Sequence, residues 1–280
     1  MSRTAPLYIA LGLVAVLFAL PLVWMVATSI KPETQAASGE FALLPHPIGS
    51  APGQAAQNYA AVWNDDTVEF PLYLRNTLIV AVLSVIGMTF SSALVAYSLA
   101  RITWKGRGTV FVLTLATMMV PFPVLMTPLY IIFREFGWIG SLKPLWIPAW
   151  FGGAFNIFLL RQFYMGIPKE LDEAARIDGM GHWSIFWRII LPLSRPALAV
   201  VALFHFIYVW NDFLAPLIFL NDRENFTLAL GLQMYQSKAG LTPWNLLMAA
   251  STMVVAPVLV LFVLTQRTMI KGISAEGLKG

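Results

Sequence analysis

Six long runs of this chain contain no Asp, Glu, Lys or Arg: residues 4–30, 76–100, 108–133, 144–160, 196–211 and 239–266, with lengths of 27, 25, 26, 17, 16 and 28. A helix needs roughly 20 apolar residues to cross the hydrocarbon core of a bilayer, within a range of ~17–25. Four runs exceed that, the fourth sits at its lower edge, and the fifth is cut short by Asp212, after which apolar residues resume to Leu220. A seventh charge-free run, 41–64, carries Pro45, Pro47, Gly49, Pro52, Gly53, Gln54, Gln57 and Asn58 and reads as a loop. The expected fold is therefore an all-α integral membrane protein with six spans at about 7–30, 76–100, 108–133, 144–163, 196–220 and 243–266.

Composition agrees. Apolar residues make up 58% and charged residues 11%, against ~45–50% and ~25% in ordinary globular proteins. That balance excludes disordered and collagenous chains and a basic nucleic-acid binder, and it argues against a cytosolic enzyme. With no cysteine, disulfides, thiolate metal sites and thiol catalysis are excluded. Lys and Arg set the orientation. With the N-terminus inside, the inner segments hold 12 and the outer segments 6, so both termini are expected in the cytoplasm. Residues 31–75 then form an outer loop and 267–280 a cytoplasmic tail. The first apolar run is too long for a signal-peptide core of ~7–15 residues and is read as a retained helix. Trp104, Trp138, Trp146, Trp210 and Trp244 fall near span ends, where an interfacial belt is expected.

The inner segment 161–195 stands apart. Pro168 suits a first helical turn, and Glu170, Asp172 and Glu173 follow where the helix dipole favours acids. Ala174 and Ala175 are strong helix formers. Gly179 can take the left-handed conformation that ends a helix. A second short helix, roughly 183–190, is expected to close at Pro192. Leu171, Ala174, Ala175 and Ile177 give the first helix a partly apolar face, suited to a partner's close approach or to the bilayer surface.

Glu173-Ala174-Ala175, three residues, Gly179, nine residues, then Ile189-x-Leu191-Pro192 resembles the EAA signature, EAA-x3-G-x9-I-x-LP, of the membrane subunits of ATP-binding-cassette importers. Every fixed position is matched. The lead-in Ile167–Ala175, Asn76-Thr77, Trp210-Asn211-Asp212-Phe213 and the Lys- and Gly-bearing tail are similar to the carbohydrate-importer branch and its MalG-like subunits. The resemblance implies one permease domain over 1–280 with type I importer (MetI-like) architecture, in a prokaryotic cytoplasmic membrane. It implies that 161–195 is a coupling loop on a separate ATPase, with Glu173, Ala174, Ala175, Asp178, Gly179, Ile189, Leu191 and Pro192 as coupling residues. The implied partners are a second homologous permease subunit, two cytoplasmic ATPase subunits carrying ATP and Mg, and an external binding protein reached through about 221–242. The implied cargo is a sugar, with glycerol phosphoesters, amino acids and polyamines as the alternatives within the superfamily.

No G-x-x-x-x-G-K-[ST] phosphate cradle, H-E-x-x-H or G-x-S-x-G occurs, so no catalytic residue, bound cofactor or metal is expected on this chain. A secondary transporter or channel would need coupling ionisables within the spans, or inverted repeats; only His205 lies well inside one. Asn156, His205, Tyr208, Asn211 and Asp212 are candidates for a substrate path, or for hydrogen bonding between helices. Pro121, Pro123, Pro128, Gly152 and Gly153 should interrupt helices there. The third to fifth spans are expected to line the path.

Overall fold

In the computed structural model all regular structure in the described residues, 5–38, 42–236 and 242–277, is helical. The principal helices are α1 (Ala5–Ser29), α2 (Ala51–Trp63), α3 (Phe70–Arg101), α4 (Arg107–Met119), α5 (Phe122–Glu135), α6 (Ala154–Gly166), α7 (Glu170–Ile177), α8 (His182–Leu193), α9 (Arg195–Trp210), α10 (Leu214–Phe219), α11 (Leu228–Gln236) and α12 (Trp244–Gly277). The chain forms two compact units. One holds the residues up to Leu74 with Leu228–Leu259; the other holds Arg75–Thr227 with the residues from Val260 onward.

In the first unit, α1 is apolar on every side and none of its most hydrophobic window is buried within the chain. A helix apolar all round needs lipid or protein around it. The expected loop 41–64 instead contains α2. Its Pro52 falls in the first turn, where the missing N–H is harmless, and the alanine-rich stretch beyond Gly53 is free to propagate the helix. From α2, Asn58 organises the polar interior. Its Nδ2 donates to the carbonyls of Ser29 and Lys31, each at 2.8 Å. Its Oδ1 accepts from Gln54 and, across 187 positions, from Asn245 at the start of α12, each at 3.0 Å. Buried polar groups are favourable only when paired in this way.

Gly231 of α11 lies against the fully buried ring of Tyr73, and a Cβ there would overlap it. Gly231→Ala is expected to destabilise the chain by about 1–3 kcal/mol through overpacking, seen as a lower thermal midpoint in detergent. An unchanged midpoint would mean that the Tyr73 ring yields freely.

The core of the second unit gathers Ala93, Ala96 and Tyr97 of α3, Ile157, Leu160 and Tyr164 of α6, Ala175 of α7, Ile185, Phe186 and Ile190 of α8, and Ala197 and Val201 of α9. Trp210 is also buried, at 2% exposure, and stacks on Phe206 at 5.1 Å. It is therefore removed from the expected interfacial belt, whereas Trp104 and Trp244 remain exposed.

Among the described residues three helices are long and apolar enough to cross a membrane, or up to five if each bent pair counts as one span. Charge-free runs measure compatibility with lipid and say little about helix continuity. In the third run α4 and α5 meet at 100°, because Pro121 and Pro123 supply no N–H to carry the ladder through. The fourth run is divided at Gly152-Gly153 into short turns and the 13-residue α6. The fifth holds the 16-residue α9, about 24 Å long, then a break and α10. Conversely, α3 starts at Phe70 and passes through Arg75, since a charge is costly in hydrocarbon but not in a helix. α12 likewise continues past the last charge-free run to Gly277.

Candidate functional site

The segment 161–195 folds onto the second unit as a helix pair. α7 carries Glu170, Asp172 and Glu173 at its start and ends in a Schellman turn. There the Met180 N–H donates to the Ala175 carbonyl at 2.9 Å, and the Gly179 N–H to the Arg176 carbonyl at 3.0 Å. Gly179 has φ +80°, a conformation that costs other residues roughly 1–2 kcal/mol.

α7 has two faces. Asp172 and Ala175, one turn apart, are buried; Leu171, Glu173, Ala174 and Ile177 are exposed, Ile177 at 87%. The expected apolar face is thereby corrected: Ala175 points into its own chain and does not share the outer face with Leu171, Ala174 and Ile177. Asp178 and Gly179 are exposed at the turn. In α8 the fully buried anchors are Ile185, Phe186 and Ile190, while Ile189 and Leu191 are half-buried and Pro192 is exposed. Residues Phe186–Ile190 form a π-helical turn. Pro192 sits within the last turn of α8, and the chain bends by 77° at Ser194, whose hydroxyl donates to the Ile190 carbonyl at 2.7 Å. Tyr97 fixes the pair to α3, with its ring 5.2 Å from that of Phe186 and its hydroxyl 3.3 Å from His182 Nδ1.

A buried polar tie of this helix pair involves a residue the sequence did not single out. Arg101, the last residue of α3, reaches Asp172 with Nε at 2.8 Å from Oδ2. Its Nη1 donates to the Tyr164 and Ile167 carbonyls at 3.1 and 2.7 Å, and its Nη2 to that of Pro168 at 3.0 Å. One guanidinium thus joins the end of α3, the end of α6 and the start of α7. The only sequence signal for this was the i, i+3 spacing of Asp172 and Ala175, a stripe distinct from the apolar one.

A cavity of about 220 Å³ lies in the same unit, walled by residues of α3, α5, the turns before α6, α9 and α10. His205, Tyr208 and Asp212 line it; Asn156 and Asn211 do not. His205 is buried with Nε2 lacking a hydrogen-bond partner among the described residues, and its ring stacks on Tyr208 at 5.9 Å. The rest of the wall is largely aliphatic and aromatic, including Phe122, Phe133 and Phe219. Asp212 accepts the Ala215 N–H at 3.2 Å, and Asn211 donates to the Ile207 carbonyl at 2.8 Å. Both side chains therefore secure the break between α9 and α10. Asn156 is buried near the start of α6, beside Gly153. Among the described residues no three His, Asp or Glu side chains are grouped so as to hold a metal ion. Of the segment 221–242, residues 237–241 lie outside the described residues, as do 278–280 of the tail.

Residues 92–274 match the family described as binding-protein-dependent transport system inner membrane component. The chain is 33% identical, over 96% of its length and 94% of the relative's, to the trehalose/maltose transport system permease protein MalG of Thermococcus litoralis. It is 32% identical, over 98% and 96%, to the arabinooligosaccharides transport system permease protein AraQ of Halalkalibacterium halodurans. It is 31% identical, over 93% and 84%, to the diacetylchitobiose uptake system permease protein NgcG of Streptomyces coelicolor. Among solved structures, a chain of a bacterial transporter that imports the acidic polysaccharide alginate superposes with a TM-score of 0.80 at 24% identity, over 95% of this chain and 98% of that one.

Proposed function

Because this chain belongs to the family of binding-protein-dependent transport system inner membrane components, and is thus a multi-pass inner-membrane permease subunit of an ATP-binding-cassette importer and not itself an enzyme, we propose that its cargo is a di- or oligosaccharide. One observation carries the choice of cargo: identity of about one third, across nearly the whole chain, to permeases named for trehalose/maltose, arabinooligosaccharides and diacetylchitobiose. Six spans with both termini inside fit the charge bias, if the bent α4–α5 pair, the interrupted fourth run and the α9–α10 pair each count as one crossing.

The α7–α8 pair then lies on the cytoplasmic face. We assign its outer surface, with Leu171, Glu173, Ala174, Ile177, Asp178 and the Gly179 turn, as the dock for an ATPase subunit that holds ATP and Mg. The buried side, with Ala175, Ile185, Phe186 and Ile190, seats the pair on the spans, while Ile189, Leu191 and Pro192 of the signature shape the end of α8. Closure of two ATPase subunits would draw this helix pair and its counterpart on a second permease subunit together. The spans would then rock between inward- and outward-open states, while an external binding protein delivers the sugar near 221–242. In the spans, the unpaired His205 Nε2 and the Tyr208 hydroxyl offer hydrogen bonds to sugar hydroxyls as they pass.

Co-reconstitution of the full chain with its partner subunits and binding protein tests this reading. Uptake of an oligosaccharide should require both ATP and the binding protein. Uptake driven by an ion gradient without ATP would overturn it, as would a binding protein that takes amino acids tightly and no sugar. Within the loop, Gly179→Val should strain the left-handed turn; no atom lies within 4 Å of a Cβ there, so backbone conformation is the main cost. The expected result is several-fold slower uptake at normal membrane levels; wild-type uptake would show that the turn geometry is dispensable.

A further inference from the structure

A second cavity, of about 290 Å³, opens where α3, α4, α6 and α7 meet. Five cations line it, Arg101, Arg107, Arg161, Lys169 and Arg176, against the two carboxylates Asp172 and Glu173. Arg101 is already paired with Asp172. The other four cations face Glu173 alone, and none forms an ion pair with it among the described residues.

Exposed Lys169 and Arg176 need no counter-ion, because water solvates them. Arg107 and Arg161 differ: both are half-buried. Arg161 lies over the Phe111 ring at 4.1 Å and donates Nε to the Leu99 carbonyl at 3.4 Å. Arg107 donates Nη1 to the Ile102 carbonyl at 3.1 Å. Most of the five N–H donors on each guanidinium remain unassigned, and the two like charges oppose one another. Holding two partly desolvated cations together with neither paired to an anion is unfavourable. Paired guanidinium forks fit the oxygens of a phosphate.

We propose that this cavity binds the phosphate of an anionic phospholipid. By the orientation proposed above, on which only the choice of leaflet rests, it opens at the cytoplasmic boundary, where anionic headgroups are concentrated. Exposed Met165 also lines it, and exposed Trp104 follows Thr103 of its wall in the chain. A bound headgroup would clamp α4 and α6 to the start of α7, so the charge of the membrane would bear on the seating of the α7–α8 pair.

Native mass spectrometry of the full-length chain in mild detergent tests the proposal, with phosphatidylglycerol, phosphatidylethanolamine and inorganic phosphate offered separately and in competition. The wild type should retain phosphatidylglycerol over phosphatidylethanolamine, and Arg107→Gln/Arg161→Gln should lose that preference. Arg161→Lys, which keeps the charge, should retain most of it. Removing Arg161 can also disturb packing on Phe111, so the exposed pair is neutralised separately; Lys169→Gln/Arg176→Gln should weaken retention by about fivefold per cation removed. Competition by inorganic phosphate would support recognition of the phosphate group. Equal retention of the two lipids, a preference that survives in both double variants, or phosphate binding with no lipid retention would overturn the proposal. ATP-driven sugar uptake by the same variants, co-reconstituted with the partner subunits and binding protein in vesicles, reports separately on the transport reading.

Discussion

Arg101→Ala is expected to lower stability by about 3–5 kcal/mol, the range for breaking a buried ion pair from one side, and to abolish uptake. The two side chains are 2% and 10% exposed. Truncation leaves the Asp172 carboxylate inside without its counter-charge; its Oδ1 already lacks a partner among the described residues. It also removes the donor from three carbonyls, those of Tyr164, Ile167 and Pro168. Thermal unfolding followed by tryptophan fluorescence, with uptake measured in vesicles, checks this. Arg101→Lys should fall between wild type and alanine, because an ammonium keeps the charge but cannot fork to several carbonyls and a carboxylate at once. Replacing both partners by apolar residues, Arg101→Met with Asp172→Leu, should recover part of the stability. A wild-type midpoint for Arg101→Ala would mean that α7 is held by its apolar contacts alone.

Glu173→Lys should behave in the opposite way, one residue along the chain. Glu173 is exposed and forms no ion pair among the described residues, so even beside the cations of the cavity the reversal should lower stability by no more than about 1 kcal/mol. Reversing a charge at an interface sets like charges against each other, which costs several kcal/mol. Uptake should therefore fall by about tenfold or more, and ATP hydrolysis by the partner subunit should lose its dependence on the binding protein. Normal coupling in Glu173→Lys would remove this residue from the docking surface. A midpoint lowered beyond that would mean that its effect runs through folding.

The two outcomes differ because residues 172 and 173 lie on different sides of one helix. The signature placed both in a functional loop, but it could not say which side faced out. Ala174 and Ala175 are identical in chemistry and adjacent in sequence, yet one is exposed and the other packs beneath it. The burial of Trp210, expected at an interface, has the same origin: its position near the end of a charge-free run said nothing about its direction. Arg101 and Asp172 are 71 positions apart, and no periodicity links residues at that distance. Of the five path candidates, only His205, Tyr208 and Asp212 reach a common cavity, because Asn211 turns back on its own helix.

Sequence alone determined the solvent and singled out the segment 161–195. Long charge-free runs are tolerable only in lipid, and an exact spacing of small, acidic and helix-ending residues marks one inner segment as a folded device. Both properties are set by local composition and order along the chain. Only the tertiary structure decided where the helices break, which face of α7 is buried and which exposed, and which cations are paired. Those outcomes depend on burial, and burial is settled by which distant segments come to lie against one another.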